Sequence, residues 1–140
     1  MNVNQKGNIG LIEVIRDLTK KGYECFTPLH DYSAVDLIVM NDFFQTKRIQ
    51  IKYREFINDL ATIEFCSVVN GKRVACDLSA IDGWAIYLPG VDKVCYFSKE
   101  MVPEGTKSFR IRKTQGAATV NIDKKQVSLY TELLSEDVIW

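Results

Sequence analysis

Two short apolar runs with polar residues set into them, Asp36-Leu37-Ile38-Val39-Met40 and Arg48-Ile49-Gln50-Ile51-Lys52, constrain this chain more than any other stretch. Asn41-Asp42 marks a turn between them, so they read as consecutive buried strands. Side chains alternate along a strand, which places Ile49 and Ile51 on one face and Gln50 and Lys52 on the other. A buried ammonium without a partner is costly, so Lys52 in a strand interior needs a counter-charge or a cleft. One reading makes it an edge-strand lysine that pairs with Asp36 or discourages aggregation. The other makes the Asp36 carboxylate, the Gln50 side-chain oxygen and the Ile51 carbonyl the protein ligands of a divalent cation. Mg2+ prefers such oxygen ligands and keeps several waters. Bound there, it would polarise a phosphate and acidify a water, with Lys52 orienting that water and countering developing charge, which suits phosphodiester hydrolysis.

The rest of the composition narrows the class. A chain of 140 residues, 46% hydrophobic and 11% aromatic, is expected to form one folded domain over 1–140. Its 18 basic and 18 acidic residues cancel, unlike a protein whose whole surface grips nucleic acid. The cations are nevertheless clustered: Lys47, Arg48, Lys52 and Arg54 in 47–54, Lys107, Arg110, Arg112 and Lys113 in 107–113, then Lys124 and Lys125. Such strips can follow phosphates, and solvated strand edges give the same pattern. No apolar stretch resembles a signal peptide or is long enough to span a bilayer, so no membrane role is expected. Cys25, Cys66, Cys76 and Cys95 lack zinc or C-x-x-C spacing, which points to four reduced core cysteines in a cytoplasmic protein. His30, the single histidine, follows Pro28-Leu29 in a loop and reads as a surface residue. No glycine-rich phosphate loop is present.

The periodicity predicts a helix over 9–21, with Leu11, Ile12, Val14, Ile15 and Leu18 as its apolar stripe and Gly22 as its stop. Strands are expected at 23–27, 35–40 and 48–54, then a hairpin of 60–69 and 72–78 turning at Asn70-Gly71. Another pair, 84–88 and 94–97, turns through 89–92, a short helix is expected to begin at Ser98 with Met101 and to stop at Pro103, and further strands or edge segments are expected at 108–112 and 126–129. A helix followed by closely spaced strands implies a mixed sheet with helices on its flanks.

In this order the residues resemble the PD-(D/E)XK nuclease superfamily, within it the small branch of the cyanobacterial group I intron homing endonuclease and relatives of archaeal Holliday junction resolvases. The resemblance runs from Lys6-Gly7-Asn8-Ile9-Gly10 to Gly22-Tyr23-Glu24, then through Thr27-Pro28-Leu29 and Val35-Asp36-Leu37-Ile38-Val39 to Ile49-Gln50-Ile51-Lys52-Tyr53. It extends more weakly over 81–89. It implies an α/β fold with a restriction-endonuclease-like core, a central mixed sheet flanked by helices. Asp36 matches the metal-binding aspartate and Lys52 the catalytic lysine. Gln50 stands where most of the superfamily has an acid, although glutamine is familiar in this branch. The helical glutamate is expected four residues after Gly7, where Leu11 stands; Glu13, the nearest acid, lies about 200° further round the helix. Either the helix has shifted register and brings Glu13 to the site, or the helical acid is missing. The implied activity is that of a Mg2+-dependent DNA endonuclease, of the intron-homing or junction-resolving kind, acting on double-stranded or branched DNA. Cutting both strands implies a symmetric homodimer or homotetramer. Lys6, Arg54, Lys107, Arg110, Arg112, Lys113, Lys124 and Lys125 are the expected DNA contacts. The alternative is a nuclease-fold nucleic-acid-binding or scaffold domain with weakened or lost catalysis, favoured by Leu11, Gln50 and the zero net charge.

Overall fold

Asn2 starts the first helix earlier than the apolar stripe predicts. The computed structural model describes residues 1–30, 33–75, 78–102, 108–113 and 126–130, with backbone alone at 66–68, 73–75, 109, 112 and 126–130. The Asn2 side chain accepts from Gln5 N and Gln5 Oε1 accepts from Asn2 N, both at 2.9 Å, a reciprocal cap that satisfies two otherwise orphaned donors. Helix α1 therefore runs Val3–Lys20. It ends where Gly22 adopts φ 88°, which lets Tyr23 N reach Leu18 O at 3.0 Å and Gly22 N reach Thr19 O at 3.1 Å.

The strands are β1 Glu24–Phe26, β2 Leu37–Met40, β3 Thr46–Tyr53, β4 Leu60–Glu64, β5 Cys66–Val69, β6 Lys72–Ala75, β7 Gly83–Leu88, β8 Lys93–Ser98, β9 Ser108–Arg112 and β10 Gln126–Tyr130. A single 3-10 turn, Lys99–Met101, takes the place of the short helix expected after Ser98. The central sheet has the order β1-β2-β3-β7-β8. It is mixed, because β3 and β7 run parallel while the other neighbours are antiparallel. All six residues of β7 are buried, as expected of a strand covered on both faces.

One cover is α1. Val14 and Leu18 pack on Leu37, Val39, Ile49, Ala85 and Tyr96. The other cover is a second sheet, β10-β9-β4, whose Ala61, Ile63 and Ile111 meet Trp84, Ile86 and Phe97. Among the described residues the second flank is thus a sheet where the sequence suggested a helix. The cause lies in the run 60–69, which breaks at Phe65. Its first half pairs with β9, and its second half forms the β5–β6 hairpin about Asn70 and Gly71, at φ 51° and 76°. Cys25 and Cys95 are reduced thiols, half-buried and buried; Cys76 lies outside the described residues and Cys66 is described by backbone alone. Among the described residues no helix is long and apolar enough to cross a membrane.

Two polar clamps hold the layers in register. Arg48 grips the Asp82 carboxylate with Nε at 3.1 Å and Nη2 at 3.0 Å, and its backbone N adds a third bond at 2.7 Å, fixing the start of β7 against β3. The guanidinium holds the Asp82 carboxyl below the usual carboxylate range. Asp17 accepts from the Tyr96 hydroxyl and pairs with Lys21, tying the last turn of α1 to β8.

Candidate active site

The site forms where β2 and β3 part. Odd-numbered β3 residues direct their backbone groups toward β2, as when Asp36 N donates to Ile49 O at 2.9 Å. Even-numbered ones face β7: Asp82 N donates to Arg48 O at 2.8 Å and Arg54 N to Tyr87 O at 3.0 Å. Strand β2 begins at Leu37, so no β2 residue precedes it to meet Ile51. The Asp36 carboxylate takes that place, accepting from Ile51 N at 2.8 Å. Asp36 thereby brackets Gln50, with a backbone bond on one side of it and a side-chain bond on the other. The Ile51 carbonyl shares the direction of its N–H and so lies on the Asp36 side of the strand.

A cleft of about 740 Å³ opens at this fork, and Asp36, Ile51, Gly7, Leu11, His30 and Tyr53 line it. Helix α1 forms its wall and packs on β3 at Gly10, where a Cβ would stand 3.4 Å from Tyr53 Cβ and 3.6 Å from Ile51 Cγ2, leaving room for a methyl group and nothing larger.

The other predicted residues are placed as follows. Gln50 and Lys52 share the face opposite Ile51, and both are half-buried. The Gln50 side-chain oxygen accepts the Trp84 indole N–H at 3.1 Å. Trp84 is fully buried and held between Phe97, stacked at 4.9 Å, and Phe65, tilted at 4.5 Å. Leu11 occupies the cleft wall where a helical acid was expected. Glu13 instead lines a separate cleft with Tyr87, Asp92 and Lys93, and pairs with Arg16 at 3.8 Å. The helix has not shifted to carry Glu13 to Asp36.

A second cleft, of about 480 Å³, shares Tyr53 with the first and gathers Lys6, Arg54 and Arg110. Burial lowers the Arg54 pKa, and Thr62 O and Tyr53 O accept from its Nε and Nη1 at 3.1 and 2.8 Å. Lys6 pairs with Glu55 at 3.1 Å. Lys113 is exposed, its Nζ 6.0 Å from the Phe56 ring. Arg112 is described by backbone alone, and Lys107, Lys124 and Lys125 lie outside the described residues.

Sequence reasoning missed four participants. His30, exposed as expected, nonetheless lines the Asp36 cleft; its place in the loop feeding Asp36 was the available signal. Asn4 and Asn8 line the same cleft two turns and one turn before Leu11, at helical spacing, although the predicted helix began beyond them. Trp84 read simply as part of an apolar strand.

Among the described residues no group of three or more His, Cys, Asp or Glu side chains converges to hold a metal ion. The donors at the fork are still hard oxygens, one carboxylate and one carbonyl. They fit a cation such as Mg2+, which fills its remaining positions with water and substrate oxygens.

Comparison with known proteins bears on the fold and the family. No curated protein matches the chain. A solved bacterial homing endonuclease, I-Ssp6803I, superposes with a TM-score of 0.68 at 13% identity, over 89% of this chain and 86% of that one, which is a likeness of fold. The sequence profile of the PD-(D/E)XK endonucleases matches residues 1–131. That match spans more than half of the chain, and the chain belongs to the PD-(D/E)XK endonuclease family.

Proposed function

We propose that this chain is a Mg2+-dependent DNA endonuclease that hydrolyses phosphodiester bonds in double-stranded or branched DNA, in the manner of an intron-homing or junction-resolving enzyme. The observation that carries the reading is the Asp36 carboxylate fixed at the fork of β2 and β3, facing an open cleft beside Ile51. Asp36 and the Ile51 carbonyl would hold the cation, which supplies charge neutralisation at the scissile phosphate and an acidified water. Gln50 joins them as a ligand only through the oxygen that already accepts from Trp84. Lys52 stabilises negative charge that develops on the phosphate oxygens, a role that requires its ammonium to reach around the strand edge. The neighbouring cleft of Lys6, Arg54 and Arg110 carries the flanking phosphates. A duplex has two antiparallel strands and each chain offers one such fork, so two or four copies act as a symmetric oligomer.

The test is cleavage of supercoiled plasmid and of a branched substrate, with and without Mg2+, beside Asp36→Asn and Lys52→Ala. Wild type is expected to nick in Mg2+ alone and both variants to be inactive. Because a homing enzyme requires its own long site, DNA from the host locus belongs in the panel. Equal activity of wild type and variants on every substrate would overturn the proposal. A second reading, a nuclease fold retained for binding DNA without cutting it, is favoured by one observation: Leu11 stands in the cleft and Glu13 does not. Mg2+-independent DNA binding with no nicking would establish it.

A further inference from the structure

The sheet order sets two neighbours on opposite sides of Gln50. Strand β2, with Asp36, lies on one side of β3, and β7, with Trp84, lies on the other. An indole can only donate a hydrogen bond, so the Gln50 atom that meets Trp84 Nε1 must be the oxygen. This fixes an amide orientation that is otherwise ambiguous. The indole is not free to adjust, because Trp84 is fully buried and stacked on Phe97. An amide carries its oxygen and nitrogen on different sides of its carbon, so an oxygen held by Trp84 turns the NH2 group away from the indole.

From this geometry we infer that Trp84 is a positioning residue that holds the Gln50 amide with its nitrogen toward the Asp36 fork, making Gln50 a hydrogen-bond donor to an oxyanion there rather than an oxygen ligand of the cation. The acceptor is a carboxylate or phosphate oxygen, each of which lacks protons of its own and gains from an amide N–H. The inference rests on the metal-dependent reading of Asp36 and specifies how the neighbouring position serves it. It also gives the glutamine a chemical reason. A carboxylate at position 50 could accept from Trp84 equally well, but it would present no donor to the fork and would add a charge beside Asp36.

The experiment is a Mg2+ titration of the isotope-labelled full chain, followed by nuclear magnetic resonance and by calorimetry. The Ile51 backbone amide, bonded to the Asp36 carboxylate, reports on that carboxylate; the Trp84 indole N–H reports on the Gln50 oxygen. The expected result is an Ile51 resonance that moves with Mg2+ and an indole resonance that does not. An Ile51 amide that stays still overturns the metal assignment of Asp36. An indole that moves along the same titration curve overturns the donor assignment of Gln50. By calorimetry, Asp36→Asn is expected to weaken Mg2+ binding by about tenfold or more, the loss that removal of a metal ligand or its support produces. Gln50→Ala is expected to change it less than twofold on the same scale. A loss in Gln50→Ala equal to that of Asp36→Asn overturns the proposal. Trp84→Phe keeps the ring and removes the donor, releasing the amide to turn its oxygen to the fork. Severalfold tighter Mg2+ binding is expected, and unchanged or weaker binding overturns the positioning role of Trp84. The wild-type spectra decide the question even if that variant does not fold.

Discussion

Asp36 has a structural duty that can be separated from the chemical one proposed for it. Its carboxylate accepts from Ile51 N at 2.8 Å, at the point where β2 no longer supplies a backbone partner. Hydrogen bonds to charged acceptors contribute about 1.5–3 kcal/mol, and an amide left without an acceptor costs about 1–3 kcal/mol. This bond is half-buried, so water can reach the orphaned N–H and the low end applies: Asp36→Ala is expected to cost about 1.5–2 kcal/mol. Asp36→Asn keeps an oxygen within reach of the same N–H and exchanges a charged acceptor for a neutral one, a loss of about 0.5–1 kcal/mol. In urea the Ala variant should show the larger fall in midpoint at unchanged slope. For a chain of this size the difference corresponds to roughly 2–5 °C in melting temperature. Both variants should be equally dead in the nicking assay, because both lack the negative oxygen. Equal losses of stability would refute the reasoning, showing that charge rather than hydrogen bonding secures the fork. A neutral Asp36→Ala would show that Ile51 N–H does not depend on Asp36 at all.

Further outcomes follow from the same structure. Gly7→Ala meets nothing within 4 Å and Gly10→Ala makes ordinary contact at 3.4 Å with Tyr53, so each should raise stability by about 0.5–1 kcal/mol through helix propensity; thermal melts check this. Only a larger residue at position 10 should push α1 off β3, losing stability and cleft together. On the pH axis, the carboxyl of Asp82 is held low by Arg48, so its contribution is present above about pH 4 and lost as pH falls through its native value. Tyr87, buried and bonded to Asp92, has its pKa raised from 10.0 to about 12, so its contribution is full below about pH 10 and lost between there and about 12. Melting temperatures across pH should therefore fall less steeply on the acid side in Asp82→Asn and on the alkaline side in Tyr87→Phe. Arg110→Ala should weaken DNA binding at every sequence tested and reduce the slope of log affinity against log salt by about 1, the mark of one lost phosphate contact.

Local signals made much of this fold legible, and their limits explain what was not. Gly22 marks the helix stop because its left-handed backbone suits glycine, and Asn70-Gly71 marks a hairpin for the same reason. The alternation at Ile49-Gln50-Ile51-Lys52 assigned faces correctly, since a period of two is a property of the strand itself. The helix start was misjudged because Asn2 and Gln5 act through capping, while the first apolar periodicity begins only at Ile9. The split at Phe65 was hidden because a strand that changes sheets carries the same β-forming residues as one that continues. At the proposed site, the nearness of Asp36 to Ile51 was legible because consecutive strands carry them. The Trp84 contact could not, since residues 50 and 84 meet only through the parallel pairing of β3 with β7. The gathering of Lys6, Arg54 and Arg110 also needs three distant segments and leaves no local trace.

The absence of Glu13 from the fork has a consequence for how this site would fill. Divalent-cation affinity follows the charge count and rigidity of the ligands. In the proposed reading one carboxylate serves the fork and Leu11 supplies no second, so the protein alone is a weak Mg2+ site. The same arrangement opposes an incoming phosphate less than two carboxylates would, because the like-charge repulsion is halved. Cation and DNA should therefore bind together, with a phosphate oxygen completing what the helix does not provide. Mg2+ is then expected to strengthen DNA binding, measured with Ca2+ as a non-cleaving substitute, while Mg2+ alone binds weakly. Leu11→Glu returns an acid to the cleft wall, where Leu11 stands only partly buried against the core. That variant should bind Mg2+ more tightly in the absence of DNA and gain less from DNA when DNA is added. If Leu11→Glu leaves metal affinity unchanged, position 11 does not look onto the cation, and the coupling of metal to DNA must have another origin.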